Sequence, residues 1–498
     1  AARAEIVRIQ VFHTNDIHGW IMPRPAAFHK ENPERLVGGA GALANAIKKH
    51  AEPGARTLLL DGGDWFQGTP EGTLSGGKVM VEVFNALDYD AVVVGNHDYD
   101  LDEGRLKGLI ADLKVPVLGF NVVRTATGER VPYLKPYVLK DLGGVKVGIF
   151  GLLTSNMPFL NFAKNFPGLT AQEEVSSARR AVAELKAAGA EVIVALTHVG
   201  IRRDSDKEFI DDRRIAAEVP GIDLIVGGHT HTALTRPERD PAHGTLIVQA
   251  GSYLTRVGSA VLEFDTAQRK VMRSEGGLRD LWIDELGEDP ALLKIVDKHR
   301  SEVGRALDVV VGTAAAALSR DRTAESALGD WLTDCERKYT KTQIAVQNSG
   351  GIRADLPAGP VTLRRLFEIM PFDNAIVTMN LRGDLVRRVL EYGASGKYSM
   401  MQVSGVRFSY DESAPPGRRV REAFVGEAPL KDDGVYSLTT ADFLAQGGVE
   451  LDMLPQGRDQ AFTPILIRDV LAWCAQNYSP ISIPPAGRIT QASPRGMK

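Results

Sequence analysis

Cysteine is nearly absent from this 498-residue chain, which has only Cys335 and Cys474. Two cysteines exclude a disulfide framework and a zinc ribbon. One bridge is open to them, and the favoured expectation is two buried free thiols. Long apolar runs are missing as well: none reaches the roughly 18 residues of a membrane span. The start, Ala1 to Gln10, shows no charged segment followed by an apolar one. The expectation is therefore a cytoplasmic chain or a mature form whose signal has been removed. Neither sign of charge dominates, with 59 Lys and Arg against 63 Asp and Glu for a net −4. A general nucleic-acid binder would carry a basic surplus. Internal repeats and low-complexity tracts are also lacking. What remains is ordinary for a soluble globular chain, 44% hydrophobic and 24% charged, which excludes a largely disordered one. At roughly 150 residues per domain, the length suggests two to four domains.

The first 285 or so residues repeat one grammar. A short β-branched or apolar run ends in a polar cluster, and a helical stretch often follows. Val7–Phe12 leads into His13-Thr14-Asn15-Asp16-Ile17-His18-Gly19, and Thr57–Leu60 into Asp61-Gly62-Gly63-Asp64. Ala91–Val94 leads into Gly95-Asn96-His97-Asp98, and Val192–Leu196 into Thr197-His198-Val199-Gly200. Leu224–Val226 leads into Gly227-Gly228-His229-Thr230-His231. Continuous apolar runs of this length read as strands covered on both faces. With helices predicted at Gly41–His50 and Val175–Ala188, the architecture reads as α/β. In such folds chemistry collects where strands end. Asp289-Pro290 opens a helical stretch to Arg305, read as a connection between domains. Beyond it, helices are predicted at Ser326–Tyr339, Gly383–Tyr392 and Pro464–Asn477. Strands are predicted at Ile344–Val346, Ala375–Asn380, Val403–Tyr410 and Val435–Thr440.

Histidine usage points to chemistry. Five of the ten histidines (His18, His97, His198, His229 and His231) lie in the strand-end clusters with Asp16, Asp64 and Asn96. Two metal ions about 4 Å apart need a shared ligand and a mixed imidazole and oxygen shell. Asp16 and His18 can face one ion from an irregular loop, joined by His231. Asp64 can bridge, because a carboxylate has two oxygens. Asn96, His198 and His229 suit the second ion. Such ligands fit zinc, manganese, cobalt or iron without choosing among them. His97, next to Asn96, is left to act on a leaving group, with Asp100 three residues on to orient its ring. Gly38-Gly39-Ala40-Gly41 lacks the lysine of a phosphate loop and reads as a tight helix start. His13 reads as loop support, and His29, His50, His243 and His299 as surface residues.

These motifs resemble the calcineurin-like metallophosphoesterase signature. His13 to Gly19, together with Asn348-Ser349-Gly350-Gly351-Ile352-Arg353, is similar more narrowly to the 5′-nucleotidase/UDP-sugar hydrolase family, from about residue 7 to 475. The resemblance implies a four-layer α/β catalytic domain, two mixed β-sheets flanked by helices, over residues 1–285. It implies a linking helix over 286–308 and a smaller α/β substrate-specificity domain over 309–498. It matches Asp16, His18, Asp64, Asn96, His198, His229 and His231 to ligands of two divalent ions (zinc, manganese or cobalt). His97 and Asp100 match a catalytic dyad. Arg322, Asn348 and Arg353 match residues that contact substrate, and Phe372 and Phe443 match a pair that sandwiches a nucleobase, where stacking and burial both contribute. One position departs: where the family has an aspartate for the ribose hydroxyls, this chain has Val449 followed by Glu450.

The expected reaction is hydrolysis of a nucleoside 5′-monophosphate to nucleoside and phosphate by metal-activated water, with His97 and Asp100 assisting departure. A 2′,3′-cyclic-nucleotide phosphodiesterase, a UDP-sugar hydrolase or a broad phosphatase shares the site, and Val449 favours that group. A thiosulfohydrolase is a more distant alternative. The expected partner is a small nucleotide rather than a nucleic-acid polymer. The expected location, by resemblance, is periplasmic or extracellular.

Overall fold

The β-branched runs of the first half become strands of two six-stranded sheets in the computed structural model, which describes residues 5–26, 28–29, 31–161, 165–201 and 210–492. The first sheet runs Lys270–Asp280, Arg256–Asp265, Ile6–Thr14, Arg56–Asp61, Ala91–Val93, Val117–Leu118. The second runs Glu238–Arg239, Leu246–Val248, Leu224–Val226, Val192–His198, Lys146–Leu153, Tyr137–Asp141. Both are mixed. Ile6–Thr14, for example, is antiparallel to Arg256–Asp265 and parallel to Arg56–Asp61.

The two-residue period of the strands decides which side chains go where. Ile9, Val11, Leu58, Leu60 and Val93 of the first sheet meet Val147, Ile149, Val194, Val226 and Val248 of the second. Their neighbours Phe12, Leu59 and Val92 face the opposite way, among Leu43, Val83, Phe84, Leu106 and Leu292 from the helices. Ile193, Ala195 and Ile225 on the outer face of the second sheet pack against Val182, Leu185 and Ile215. The result is helix, sheet, sheet, helix, the four layers expected. Each fully buried Val, Leu or Phe contributes about 1.5–3 kcal/mol of transfer free energy. That burial leaves the strand-end turns free to be polar.

The chain divides into two compact units, Ala1–Val303 and Gly304–Lys498. The helix anticipated as a linker over 286–308 is observed as Pro290–Val303, in the first unit, packed on Ala40–His50 and Lys78–Leu87. His299 on it is not a surface residue: it is buried, with Nε2 3.1 Å from Glu82. The helical period turns it toward the Lys78–Leu87 helix.

The second unit centres on a five-stranded sheet ordered Met401–Ser404, Ile344–Asn348, Val435–Ala441, Ala375–Arg382, Arg458–Leu466. The single strand anticipated over 403–410 is two, broken at Gly405, whose φ of 75° turns the chain. The last helix begins at Ile467 rather than 464, because Arg458–Leu466 extends along Ala375–Arg382. The cysteines are not free thiols. Cys335 and Cys474 form a disulfide between helices Ala327–Thr340 and Ile467–Asn477. Their separation of 139 residues gives no local pattern from which the pairing can be read. Among the described residues, no helix is long and apolar enough to cross a membrane.

Candidate metal centre

The polar ends of the parallel strands converge, and backbone hydrogen bonds zip the turns together. Asp16 N–H donates to Gly63 O (2.9 Å), His18 N–H to Asp64 O (3.0 Å) and Gly19 N–H to Trp65 O (2.8 Å). Asp16, His18, Asp64, His229 and His231 all have φ between 49° and 74°. Left-handed backbone is uncommon outside glycine, and clusters of it mark sites where the fold over-determines geometry. The glycines of the motifs make room. Gly63 has φ 91°, and a Cβ there would lie 2.7 Å from His198 Nδ1.

All seven residues expected to hold metal are brought together, in two sets. In the first, His231 Nε2 lies 3.3 Å from Asp16 Oδ1 and 3.2 Å from His18 Nε2, which is 3.6 Å from Asp64 Oδ2. In the second, His198 Nε2 lies 3.2 Å from the same Asp64 Oδ2 and 3.1 Å from Asn96 Oδ1, with His229 Nδ1 2.9 Å from Asn96 Oδ1. Asp64 Oδ2 therefore belongs to both. Asp16, His18, Asp64, Asn96 and His198 are at most 2% exposed.

The donor chemistry fits cations. His18 Nδ1 faces the Gln67 carbonyl at 2.6 Å and His198 Nδ1 the Gly62 carbonyl at 2.7 Å. A carbonyl only accepts, so both rings carry a proton on Nδ1 and, when neutral, aim the Nε2 lone pair at carboxylate and amide oxygens. Lone pairs converging among buried side chains repel unless a cation or a proton sits among them. The charges say the same. Burial alone would push His198 down, yet Asp64 beside it lifts the imidazole to about 10. Asp64 is buried too, but His198, His97 and His18 hold it well below the usual carboxylate range. Asp16 is raised by burial and by Asp64, against His198 and His18.

At the rim, His97 and Asp100 form a close pair, Nδ1 to Oδ2 2.8 Å, with side chains 15% and 19% exposed. The His97 ring lies 5.4 Å from that of His18. His97 N–H donates to Asp64 Oδ1 (2.8 Å), which leaves Oδ2 toward the two donor sets.

Two residues of the strand-end motifs, to which the sequence assigns no role, support the site. Asp98 accepts from the backbone N–H groups of Asp64, Trp65 and Gly95 (3.1, 2.9 and 2.7 Å), clamping two ligand-bearing turns. Asn15 donates to Asp16 Oδ2 (2.7 Å) and to Gly251 O, and accepts from Ala250 N–H. Each lies next to or near a candidate ligand in sequence, and that proximity was the available signal. His13 is buried in its strand, where desolvation pushes it down to about 3.

In the second unit, strand register gathers the remaining candidates. Ile376 pairs with Ala441, and Ala345 runs parallel beside Thr439. The segment entering Ala375–Arg382 and the segments leaving Ile344–Asn348 and Val435–Ala441 thus share one sheet end. Phe372, Asn348 and Phe443 sit on these segments. Arg353 lies over the Phe372 ring at 5.7 Å. The Arg322 carbonyl accepts from Met400 N–H (2.8 Å), and Ser349 N–H donates to Met400 O (2.9 Å), which brings Arg322 beside the Asn348 turn. Gly448 packs on Phe443, where a Cβ would lie 2.6 Å from the ring. Val449 adopts φ 51°, a strained conformation for a β-branched residue. Glu450 forms an ion pair with Lys397 (2.6 Å), and Tyr392 hydroxyl donates to Val449 O (2.6 Å).

Fold and donor sets together describe a metallophosphoesterase, and residues 9–233 match the calcineurin-like phosphoesterase family. Residues 306–456 match the family of the 5′-nucleotidase C-terminal domain. A snake venom 5′-nucleotidase from Naja atra is 28% identical over 493 residues, spanning 88% of this chain and 90% of that protein. The crystal structure of a 5′-nucleotidase precursor from Thermus thermophilus superposes with a TM-score of 0.88 at 28% identity, covering 97% and 99% of the two chains. The Thermus thermophilus sulfate thiohydrolase SoxB shares the fold, with a TM-score of 0.84 at 20% identity over 97% of this chain and 96% of that one. The chain thus carries a calcineurin-like phosphoesterase domain followed by a 5′-nucleotidase C-terminal domain, and it is a hydrolase of the metallophosphoesterase type.

Proposed function

We propose that this protein hydrolyses nucleoside 5′-monophosphates to nucleoside and phosphate outside the cytoplasm. The observation that carries the proposal is a pair of buried donor sets sharing Asp64 Oδ2, with the His97–Asp100 pair at their rim. Asp16, His18, His231 and Asp64 would hold one divalent ion, and Asp64, Asn96, His198 and His229 the other. Such ions supply Lewis-acid stabilisation of the phosphoryl group and a nucleophilic water at neutral pH. Asp100 keeps the proton of His97 on Nδ1 and stabilises the imidazolium, so Nε2–H is available to the departing ribose oxygen. Arg353 and Arg322 hold anionic groups of the substrate, Asn348 contacts it, and Phe372 and Phe443 stack the base. The Cys335–Cys474 disulfide supports an oxidising compartment, and so does a venom enzyme among the relatives.

Val449 and Glu450 favour a second reading with the same chemistry and looser selection. Valine offers no acceptor to a ribose hydroxyl, and Glu450 is engaged by Lys397. This would admit cyclic nucleotides, UDP-sugars or simple phosphate esters.

Metal-reconstituted protein tests both readings on AMP, UMP, 2′,3′-cyclic AMP, UDP-glucose and p-nitrophenyl phosphate, with His97→Ala as control. The first reading expects preference for monophosphates and a loss of about 10²–10⁴ on AMP in the control. Similar rates on all substrates, or preference for the cyclic or sugar nucleotide, would replace the first reading by the second. No hydrolysis with any divalent ion would overturn both and direct attention to a sulfur substrate.

A further inference from the structure

The turn that carries His97 and Asp100 is short, a single 3-10 turn over His97–Tyr99. Such turns have poor hydrogen-bond geometry and little rigidity of their own. Two asparagines from a distant segment bracket it. Asn161 Nδ2 donates to the Asn96 carbonyl (2.9 Å), just before the turn, and to Asp100 Oδ1 (3.3 Å). Asn165 Nδ2 donates to the Asp100 carbonyl (2.7 Å), just after it, and to Asn161 Oδ1 (3.2 Å). Both side chains are buried, at 6% and 7% exposure. The amide orientation of Asn161 is fixed by its partners: a flipped amide would aim its oxygen at two acceptors and its nitrogen at a donor.

We infer that Asn161, backed by Asn165, is a positioning residue for leaving-group assistance by His97, an inference that rests on the dyad reading above. Asp100 has two oxygens. Oδ2 faces His97 and Oδ1 faces Asn161, so the carboxylate plane is held from behind. That plane sets the direction of the imidazole and of its Nε2. The bonds to the Asn96 and Asp100 carbonyls hold both ends of the turn at constant separation. Without them the hold on Asp100 loosens, and with it the aim of His97. Deletion of an outer-layer hydrogen bond of this kind typically costs about 10- to 100-fold in activity.

The test compares two esters on the full metal-loaded protein. The group that leaves AMP is a ribose alkoxide and needs assistance; the group that leaves p-nitrophenyl phosphate is a stabilised phenolate and does not. Asn161→Ala should lower kcat on AMP by about 10- to 100-fold, leave KM for AMP in place, and leave p-nitrophenyl phosphate nearly unaffected. Combined with His97→Ala it should cost little more than His97→Ala alone, because the two act as one unit. Asn165→Ala should show the same substrate selectivity at smaller size, and it carries the test if Asn161→Ala does not fold. Equal losses on both esters, or a double variant whose losses multiply, would overturn the inference and make the asparagines merely structural. If His97→Ala itself fails to separate the two esters, the dyad reading falls, and this inference with it.

Discussion

The candidate metal ligands of the first unit are largely buried and locked, whereas the aromatic pair of the second is partly exposed. Five of the seven donors occupy left-handed backbone, and the donor turns are pinned by neighbouring turns or side chains. Phe372 and Phe443 lie at the lip of a sheet end, fixed by packing such as that of Gly448 on Phe443. On the proposed reading, the difference follows from what each region does. Converging lone pairs tolerate little displacement, because charge interactions among buried groups are strong and directional. A stacking platform accepts a flat ligand across a broad range of positions and has to be reachable.

This contrast can be broken by substitution. The largest effect is expected at Asp64, whose Oδ2 is common to both donor sets. Asp64→Ala should reduce bound metal below two per chain and lower phosphate release on the order of 10³-fold or more. Full occupancy with full activity would remove the shared-ligand claim. Next comes the disulfide. Cys335→Ala with Cys474→Ala should destabilise the second unit by about 2–5 kcal/mol, seen as a lower unfolding transition, while metal stoichiometry stays at two. Loss of metal instead would show that the two units are not separate in stability.

A smaller effect is expected at the platform. Phe443→Ala should cost about 1–3 kcal/mol of base stacking, raising KM for AMP by about 5- to 150-fold. Hydrolysis of glycerol phosphate, which has no base, should not change. Equal losses on both would place Phe443 in the core instead. The smallest effect concerns Glu336, fully buried with neither carboxyl oxygen hydrogen-bonded, whose pKa burial pushes well up. The folded state keeps this proton at pH values where the unfolded chain, with its ordinary carboxyl, has released it. Stability from this group therefore falls as pH rises, by at most about 1.4 kcal/mol per pH unit up to the folded pKa. Glu336→Gln removes the dependence, so the variant should gain on the parent as pH increases through the neutral range. A constant difference between the two would contradict the assignment.

The two regions also differ in how much can be read beforehand. The strand-end grammar exposes the first site because polar clusters after apolar runs are local in sequence, and His18, Asp64, Asn96 and His198 each stand in one. The candidates of the second unit need resemblance, since Phe372 and Phe443 look like core residues until the pairing of Ile376 with Ala441 places them at one sheet end. Long-range contacts are hidden for the same reason. Nothing near Cys335 announces Cys474, and nothing in the 96–100 turn announces Asn161. His299 reads as a surface residue on a polar helix and is buried by its contact with Glu82.

The most direct test of the account is anomalous diffraction from crystals of the protein grown with a divalent transition metal. Two peaks are predicted, about 4 Å apart, one among Asp16, His18, His231 and Asp64 and the other among Asp64, Asn96, His198 and His229. A single peak, a peak that misses Asp64, or strong sites elsewhere would contradict it.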